Sequence, residues 1–239
     1  TAENTRLAFD KSLEYAIDGI ETDVQLSRDE VPVLWHDQYL DKLGLPGKVI
    51  DDFDYCQMEL MDFAGYFSPE SKPEGVLSLK EFLESYRGRC KLQIEVKNFD
   101  WEPVRRHESK MMRCIDLIRS WNDEEIFISS FDLSSLVFAH HYAADFPLYF
   151  ALNETQTSQD ANRFLTEHSF LRGLCVHIEI LDEELMKVVR EKGKHILVYT
   201  CNTDEEIGKA LNLGVDILIT DVPQAALNMR AQCDGNFHD

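Results

Sequence analysis

The chain has 239 residues, a formal net charge of −20 and 44% apolar residues. This length and composition are ordinary for a folded globular protein and exclude a disordered or fibrous chain, with one large domain as the default. The negative charge repels phosphate backbones and anionic bilayers, so we expect no nucleic-acid partner and no stable association with a membrane.

The cysteines and the hydropathy pattern bear on the cellular compartment. The six cysteines show no C-x-x-C spacing, and no apolar run approaches the length that spans a bilayer. We therefore predict reduced, mostly buried thiols and a cytoplasmic protein. The chain begins at Thr1 rather than at a methionine, which leaves open a signal peptide upstream of Thr1. The oligomeric state stays unknown from the sequence.

In chain order, the pattern opens with one helix and then alternates strands with helices. The helix is predicted to begin near Asn4 or Thr5 and to end before Gly19. Strand patterns follow at residues 20–24, 92–96, 126–130, 147–152, 174–178, 196–200 and 216–220. Such alternation predicts parallel pairing with right-handed crossovers. The strand count favours an α/β (β/α)₈ TIM barrel over a doubly wound sheet, with the first barrel strand missing from this chain.

A hairpin and a long insertion interrupt this alternation after the first strand pattern. Residues 31–35 predict a second strand, joined to residues 20–24 by a turn at 27–30. No strand pattern is clear from residue 38 to residue 91. We expect residues 38–77 to form a small cap over the site rather than a separate domain. Residues 1–239 are thus predicted to be one barrel domain with a cap insertion.

Acidic side chains share one face of two strand patterns. In residues 20–24, Glu21 and Asp23 alternate with apolar neighbours, and Glu95 does the same in residues 92–96. In a barrel the apolar face meets the helices, so these acids would point inward near the carboxyl ends of the strands. Grouped carboxylates need a compensating cation, and oxygen donors favour Mg²⁺ or Ca²⁺ over zinc. The alternative is a pair of acids on a solvated strand face.

Three further side chains are candidates because of their position relative to the acids. The hairpin would set His36 opposite Asp23, where an imidazole could move protons near neutral pH. Lys97 follows Glu95 by two positions and could contact a phosphate, although a solvated or paired lysine is the simpler interpretation. His177 faces inward in its strand, either as a core histidine or as a substrate contact.

A series of short motifs runs along nearly the whole chain in a fixed order. They are ENT at 3–5, GIETDV at 19–24, HD at 36–37, IEVK at 94–97, SSF at 129–131, VYTCN at 198–202 and TDVP at 220–223. In this order they resemble the glycerophosphodiester phosphodiesterase family of metal-dependent (β/α)₈ hydrolases. The resemblance implies that Glu21, Asp23 and Glu95 hold a divalent cation.

The resemblance also assigns roles to the other candidate residues. It implies that His36 is one of two catalytic histidines and that Lys97 contacts the phosphate, and we expect His177 and Tyr199 to contact substrate. The first histidine of the family would lie upstream of Thr1. The family often continues L-x-R-T-T-x-G after its HD motif, whereas residues 40–44 here read LDKLG and lack the threonine pair.

The predicted function is metal-dependent hydrolysis of small-molecule glycerophosphodiesters to glycerol 3-phosphate and an alcohol. A lysophospholipase D-type activity on the same scaffold is an alternative, with apolar cap residues lining an acyl groove or forming the core of the cap itself. A second alternative is a non-catalytic barrel that binds a metal or a phosphodiester.

Overall fold

The predicted strand and helix segments fold into a mainly parallel sheet with helices along its outer face. The computed structural model describes residues 1–68, 70, 72–121 and 125–235. Its strands are β1 (Gly19–Leu26), β2 (Pro32–Leu34), β3 (Lys91–Val96), β4 (Ile126–Ser130), β5 (Leu148–Leu152), β6 (Gly173–His177), β7 (His195–Tyr199) and β8 (Ile217–Leu218). Its α-helices are α1 (Arg6–Ser12), α2 (Tyr55–Met58), α3 (Leu79–Tyr86), α4 (Val104–Arg119), α5 (Leu133–Tyr142), α6 (Ser158–Glu167), α7 (Glu183–Glu191), α8 (Asp204–Leu213) and α9 (Pro223–Gly235).

The sheet has the order β2-β1-β3-β4-β5-β6-β7-β8. Every neighbouring pair is parallel except β1 and β2, which form an antiparallel hairpin. Apolar side chains of β4 to β8 meet one another on the inner face, which requires the sheet to curl. The strand-helix alternation and the curled sheet confirm the predicted α/β TIM-barrel class.

Two apolar layers follow from the period-two alternation of the strands. The outer-face residues Leu92, Ile94 and Val96 of β3 are buried in one large cluster with side chains of the surrounding helices. The inner-face residues of the later strands form a smaller cluster that includes Tyr149 and Cys175. The acids of β1 and β3 therefore belong to the inner face, as the alternation predicts.

The hairpin register differs by one residue from the prediction. Val24 pairs with Leu34, and the Trp35 amide donates to the Asp23 carbonyl at 3.1 Å. Asp23 therefore lies opposite Trp35 rather than opposite His36. Leu26 pairs with Pro32, and the Ser27 amide donates to the Val31 carbonyl at 3.0 Å, so residues 27–31 form the loop whose closure sets this register.

The first helix is shorter than the sequence pattern predicts. Thr5 is its N-cap, with its side chain accepting from the Ala8 amide, and α1 ends at Ser12 rather than just before Gly19. The chain then tightens through hydrogen bonds between residues three apart, from the Glu14 amide to Lys11 and from the Tyr15 amide to Ser12. The segment still packs its apolar side chains against the main cluster.

The insertion after β2 has a small apolar cluster of its own. Its members include Trp35, Leu40, Met58 and Phe63, and the segment contains α2 and two 3₁₀ turns at Asp41–Leu43 and Ile50–Asp52. Residues 69 and 71 of the segment lie outside the described residues. The Leu34 amide donates to the Leu77 carbonyl at 2.8 Å, so the chain returns beside the strand that it left. Across the described part of the chain, each helix is too short or too polar to cross a membrane.

Candidate active site

Three carboxylates from neighbouring strands converge on the inner face of the sheet. Parallel pairing of β1 with β3 sets Asp23 beside Glu95 and Glu21 beside Gln93. One carboxylate oxygen from each of Glu21, Asp23 and Glu95 lies within 4.8 Å of the others. The structure thus brings together the three acids that strand alternation selects. Their role as ligands stays a prediction.

Burial makes this acidic group costly without a cation. Burial, together with the charges of Asp23 and Glu95, raises the pKa of Glu21 well above its usual value. Burial also raises the pKa of Glu95, against the opposing effect of Lys97. The Glu21 Oε1 atom is buried and makes no hydrogen bond to any of the described residues. An unpaired carboxylate oxygen beside two other carboxylates fits the needs of an oxygen-loving divalent cation.

Lys97 already lies within this group. Its Nζ is 2.5 Å from Glu95 Oε1 and 3.0 Å from Asp23 Oδ1. Burial lowers the pKa of Lys97, but the two carboxylates outweigh it and hold the pKa above its usual value. One ammonium beside three carboxylates leaves an excess of negative charge, and Glu21 is the acid to which Lys97 makes no ion pair among the described contacts. Lys97 and a divalent cation are therefore compatible at the same site.

Asn4 holds one of the three acids and was missed by the sequence reasoning. Its Nδ2 donates to Asp23 Oδ2 at 3.0 Å, and its Oδ1 accepts from the Thr22 hydroxyl at 2.5 Å. Asn4 has a positive φ of 56°, which asparagine tolerates better than most residues. The sequence pattern gave Asn4 or Thr5 as the helix cap, and Thr5 takes that role. The signal that could have identified Asn4 is its place in the ENT motif.

His36 reaches the same region despite the altered register, because it follows the end of β2. Its side chain is 50% exposed, and its Nδ1 lies 2.8 Å from Asp37 Oδ1. The buried side chain of Gln25 donates to the carbonyls of Trp35 and Asp37, at 3.0 and 2.7 Å, and so fixes the backbone on both sides of His36. His36 and Lys97 line one cavity of about 430 Å³. Gln25 is a second residue that the sequence reasoning missed.

A second group of possible ligands lies at the rim. Donor atoms of Glu3, His36 and Asp37 also fall within 4.8 Å of one another. Here the Lys42 ammonium is 2.7 Å from Glu3 Oε1 and 2.8 Å from Asp37 Oδ2. A cation of the protein thus already bridges these two acids. The chemistry of this group gives no reason to add an ion.

The two remaining candidates, His177 and Tyr199, lie side by side on the inner face. Their rings are 5.5 Å apart in an edge-to-face contact, and Tyr199 meets Phe131 in the same way at 5.8 Å. The Tyr199 hydroxyl donates to the Leu152 carbonyl at 2.8 Å, so a contact with substrate would use its ring. His177 Nδ1 accepts from the Glu179 amide at 3.3 Å. Their contact with substrate stays a prediction.

Asp221 is a further acid near the group that strand reasoning did not select. Its charge adds to the factors that raise the pKa of Glu21, after burial, Asp23 and Glu95. Asn202 donates from Nδ2 to Asp221 Oδ2 at 2.7 Å and accepts the Asp221 amide at 2.9 Å. The TDVP and VYTCN motifs therefore meet at this contact. Both motifs lie where β7 and β8 end, so they belong to the same region of the fold as the acids.

Comparison with known proteins identifies the family. A profile of the glycerophosphoryl diester phosphodiesterase family matches residues 1–225. The Mycoplasma genitalium protein MG293 is 36% identical over 138 residues, so the match spans 56% of this chain and about half, 55%, of that relative. A Bacillus altitudinis glycerophosphodiester phosphodiesterase is 26% identical over 239 residues, covering 96% of this chain and 93% of that protein.

A solved structure agrees with this result at the level of the fold. It is an Oleispira antarctica phosphodiesterase in complex with the product sn-glycerol-3-phosphate, with a TM-score of 0.82 and 23% identity. The superposition covers 95% of this chain and 92% of that chain. The family profile spans the chain from α1 through α8 and reaches the start of α9. The chain therefore belongs to the glycerophosphoryl diester phosphodiesterase family.

Proposed function

We propose that the protein hydrolyses glycerophosphodiesters to glycerol 3-phosphate and an alcohol, with the help of a divalent cation. The observation that carries this proposal is the acidic group of Glu21, Asp23 and Glu95, whose oxygens lie within 4.8 Å of one another in a chain of this family. The unpaired Glu21 Oε1 is the atom that most needs a cation.

The donor set indicates which ion would be held. All three ligands are carboxylate oxygens, which suits Mg²⁺ or Ca²⁺ and gives no soft ligand for zinc. When bound, such an ion supplies positive charge that stabilises negative charge on the phosphate oxygens. Asn4 orients the Asp23 carboxylate, because its amide occupies Oδ2 and leaves Oδ1 directed at Lys97.

Two side chains of this chain would act directly on the phosphodiester. The Lys97 ammonium, which Asp23 and Glu95 hold in the cavity that it shares with His36, would contact a phosphate oxygen. The Nδ1 atom of His36 is engaged by Asp37. Nε2 is therefore the ring nitrogen that would deliver a proton to the leaving alcohol oxygen.

The segment at 38–77 would act as the cap of this site. Tyr39 and Asp41, at its beginning, line the cavity with His36 and Lys97. Its other apolar residues are mainly inward: Met58 and Phe63 are buried in the cap's own cluster, whereas Leu60 is 89% exposed. This packing supports a bare glycerol substrate more than the acyl groove of a lysophospholipase D.

The first experiment tests the metal-dependent reaction. Full-length protein is incubated with glycerophosphocholine before and after EDTA treatment, and glycerol phosphate is measured. We expect turnover to disappear with EDTA and to return with Mg²⁺ or Ca²⁺ in the wild type and in the control Glu167→Gln, an exposed residue of α6. Glu21→Gln should stay inactive after the same addition. Undiminished turnover after thorough metal removal would refute the scheme.

A histidine substitution tests the proposed role of His36. We expect His36→Ala to lower kcat by about 10²- to 10⁴-fold, whereas the exposed His141→Ala should not change it.

Faster turnover of lysophosphatidylcholine than of glycerophosphocholine would favour lysophospholipase D activity. Binding of Ca²⁺ by calorimetry with no turnover of either substrate would favour a non-catalytic barrel.

A further inference from the structure

A lysine of the cap segment contacts two acids that border the proposed catalytic groups. The Lys42 ammonium lies 2.7 Å from Glu3 Oε1 and 2.8 Å from Asp37 Oδ2. The other oxygen of that aspartate, Oδ1, is 2.8 Å from Nδ1 of His36. The contacts thus run from the cap, through one carboxylate, to the imidazole that would protonate the leaving oxygen. Only Asp37 stands between Lys42 and that imidazole in this series of contacts.

The fold of the cap holds Lys42 in place. Lys42 lies in a 3₁₀ turn between Leu40 and Leu43, and both leucines pack in the apolar cluster of the cap. Its ammonium is 6.0 Å from the ring centre of Trp35 and 5.7 Å from that of Tyr66, distances at which an aromatic ring attracts a cation. The lysine is thus fixed by its backbone, by two rings and by two acids.

Without this ammonium the two acids would repel each other. Donor atoms of Glu3, His36 and Asp37 lie within 4.8 Å of one another, so the two negative charges are close. Their repulsion would turn Asp37 away from the imidazole. Burial raises the pKa of Asp37, but the hydrogen bonds from His36 and Lys42 outweigh it and leave the pKa below its usual value. Lys42 therefore keeps Asp37 ionised and directed at His36.

The second acid leads to the group of strand carboxylates. Glu3 immediately precedes Asn4, whose amide donates to Asp23 Oδ2 at 3.0 Å. Because Lys42 holds the Glu3 side chain, it restricts the movement of the backbone that carries Asn4. The same cap lysine thus bears on the imidazole and on one of the three strand acids.

We propose that Lys42 is a positioning residue for the reaction, which acts from the cap by holding Asp37 against His36. The inference rests on the proposed function, because Lys42 acts through the imidazole that would protonate the leaving oxygen. The His36 side chain is 50% exposed, so its ring orientation depends on this hydrogen bond more than on packing. The cap then completes the proton donor in addition to covering the site.

A substitution that removes only the charge tests this role by kinetics. Lys42→Met keeps an unbranched side chain of similar length and takes away the ammonium. We expect it to lower kcat on glycerophosphocholine by about 10- to 100-fold, because the proton donor is misdirected. KM should change by less than about threefold, because the phosphate contact proposed for Lys97 remains.

Two further variants serve as rescue and control. Lys42→Arg keeps the positive charge and can donate to both acids, so it should bring kcat to within about fivefold of the wild-type value. Lys48→Met removes an exposed ion pair with Asp52 in the same segment and should leave kcat unchanged. A wild-type kcat in Lys42→Met, or an equal loss in Lys48→Met, would refute the role of Lys42.

A spectroscopic measurement separates this inference from the reaction itself. Nitrogen-15 NMR of the full-length protein without substrate shows which ring nitrogen of the neutral His36 imidazole carries the proton, and His36→Ala identifies the signal. In wild type and Lys48→Met we expect the proton on Nδ1, from which it is donated to Asp37. In Lys42→Met it should move largely to Nε2, while the other histidine signals stay unchanged and show that the variant is folded.

This measurement does not need turnover. If the wild type hydrolyses no glycerophosphodiester, the proposed function fails, and the tautomer of His36 still decides whether Lys42 holds Asp37 in place. An equal amount of the Nδ1–H tautomer in wild type and Lys42→Met would refute the inference.

Discussion

Gln25 shows how one buried amide can determine the position of a proposed catalytic residue. Its Nε2 donates to the carbonyls of Trp35 and Asp37, the two neighbours of His36 in the chain. Gln25 is only 4% exposed and follows Asp23 by two positions, so it projects from the same face of β1. The strand that supplies the acid therefore also positions the imidazole, even though His36 lies beyond the end of β2.

We predict that Gln25→Glu lowers kcat by about 10- to 100-fold with little change in KM, because a carboxylate cannot donate to either carbonyl and the His36 backbone shifts. Steady-state kinetics on glycerophosphocholine measures this effect. Gln224→Glu makes the same chemical change on exposed α9 and serves as control. In a His36→Ala background the Gln25 effect should largely vanish. A loss of equal size in both backgrounds would show that Gln25 does not act through His36.

The residues found from the sequence and those missed differ in one physical respect. Glu21, Asp23 and Glu95 follow from alternation within single strands, which is a local property. Asn4 and Gln25 act through partners that lie on other segments of the chain. From the sequence alone, Asn4 also fits a helix cap, and Gln25 also fits an ordinary strand residue. Local periodicity cannot choose between those possibilities.

At the scale of elements, a buried ion pair joins α4 to the end of β3. Lys110 is completely buried, donates to the Lys97 carbonyl, and lies 3.0 Å from each carboxylate oxygen of Glu102. Glu102 is 8% exposed. This pair ties the loop after β3, which carries Lys97, to a helix of the outer layer. A lysine on a helix normally indicates a solvated face, so the sequence offers no sign of this contact.

We predict that Lys110→Met destabilises the protein by about 3–5 kcal/mol, because the buried Glu102 would lose its closest cation and retain the more distant Arg106 Nε, 3.6 Å away. The double variant Lys110→Met with Glu102→Leu should recover much of this loss. Urea unfolding at pH 7 gives both values. Lys187→Met, which removes an exposed pair with Glu191 on α7, should cost less than about 0.5 kcal/mol. Equal losses at the two lysines would contradict the role of the buried pair.

Glu81 links three elements and predicts a dependence of stability on pH. It caps α3 through Ser78, accepts the Tyr55 hydroxyl of α2 at 2.8 Å, and pairs with Arg6 of α1 at 2.9 Å. Burial raises the pKa of Glu81, but the hydrogen bonds from Ser78 and Tyr55 and the Arg6 charge outweigh it and leave the pKa below its usual value. The stabilisation is therefore complete above the unfolded-state pKa and is lost as pH falls through the lower folded-state value.

Glu81→Gln should accordingly lower stability at pH 7 by about 1 kcal/mol through weakened charged hydrogen bonds. The difference from wild type should shrink as pH falls below the usual glutamate pKa of about 4.3 and on through the lower folded-state pKa of Glu81. Thermal unfolding across pH 3–7 measures it. The control Glu84→Gln, an exposed residue of the same helix paired with Lys80, should show a smaller difference at every pH. A Glu81→Gln difference that stays constant with pH would contradict the linkage.

The element scale also shows where sequence patterns lose accuracy. Each predicted strand forms, because its apolar pattern and its position between predicted helices both indicate a strand. The hairpin register was wrong by one residue, since it depends on how the 27–31 loop closes, through Ser27 and Val31. The helix α1 ends early because backbone bonds three residues apart tighten the chain after Ser12. Both errors concern the local backbone geometry of a loop or a helix end, which the amino-acid composition does not determine.

At the scale of the whole molecule, the charge of −20 and the acidic site have separable effects on stability. General repulsion among surface carboxylates is screened by any salt, with a Debye length of about 10 Å at 0.1 M. The buried group at Glu21, Asp23 and Glu95 is shielded from that screening, and Glu21 Oε1 has no hydrogen-bond partner in the part of the chain that the structure describes. At a fixed pH, a cation that enters the site would relieve the repulsion within this group. Divalent and monovalent salts at one ionic strength should therefore differ.

We predict that Mg²⁺ or Ca²⁺ at about 100 times its Kd stabilises the wild type by about 2.7 kcal/mol over NaCl of equal ionic strength. For a chain of this size that is a rise in Tm of about 5–10 °C, measurable by thermal unfolding of metal-stripped protein. Glu21→Gln should show only the rise that NaCl gives, and without metal it should be more stable than wild type at pH 7, because it lacks the carboxyl group whose ionisation burial and the neighbouring carboxylates disfavour. The control Glu167→Gln should behave as wild type. If the divalent ions raise the Tm of Glu21→Gln as much as that of wild type, they act at the acidic surface, and the three strand acids do not form the site.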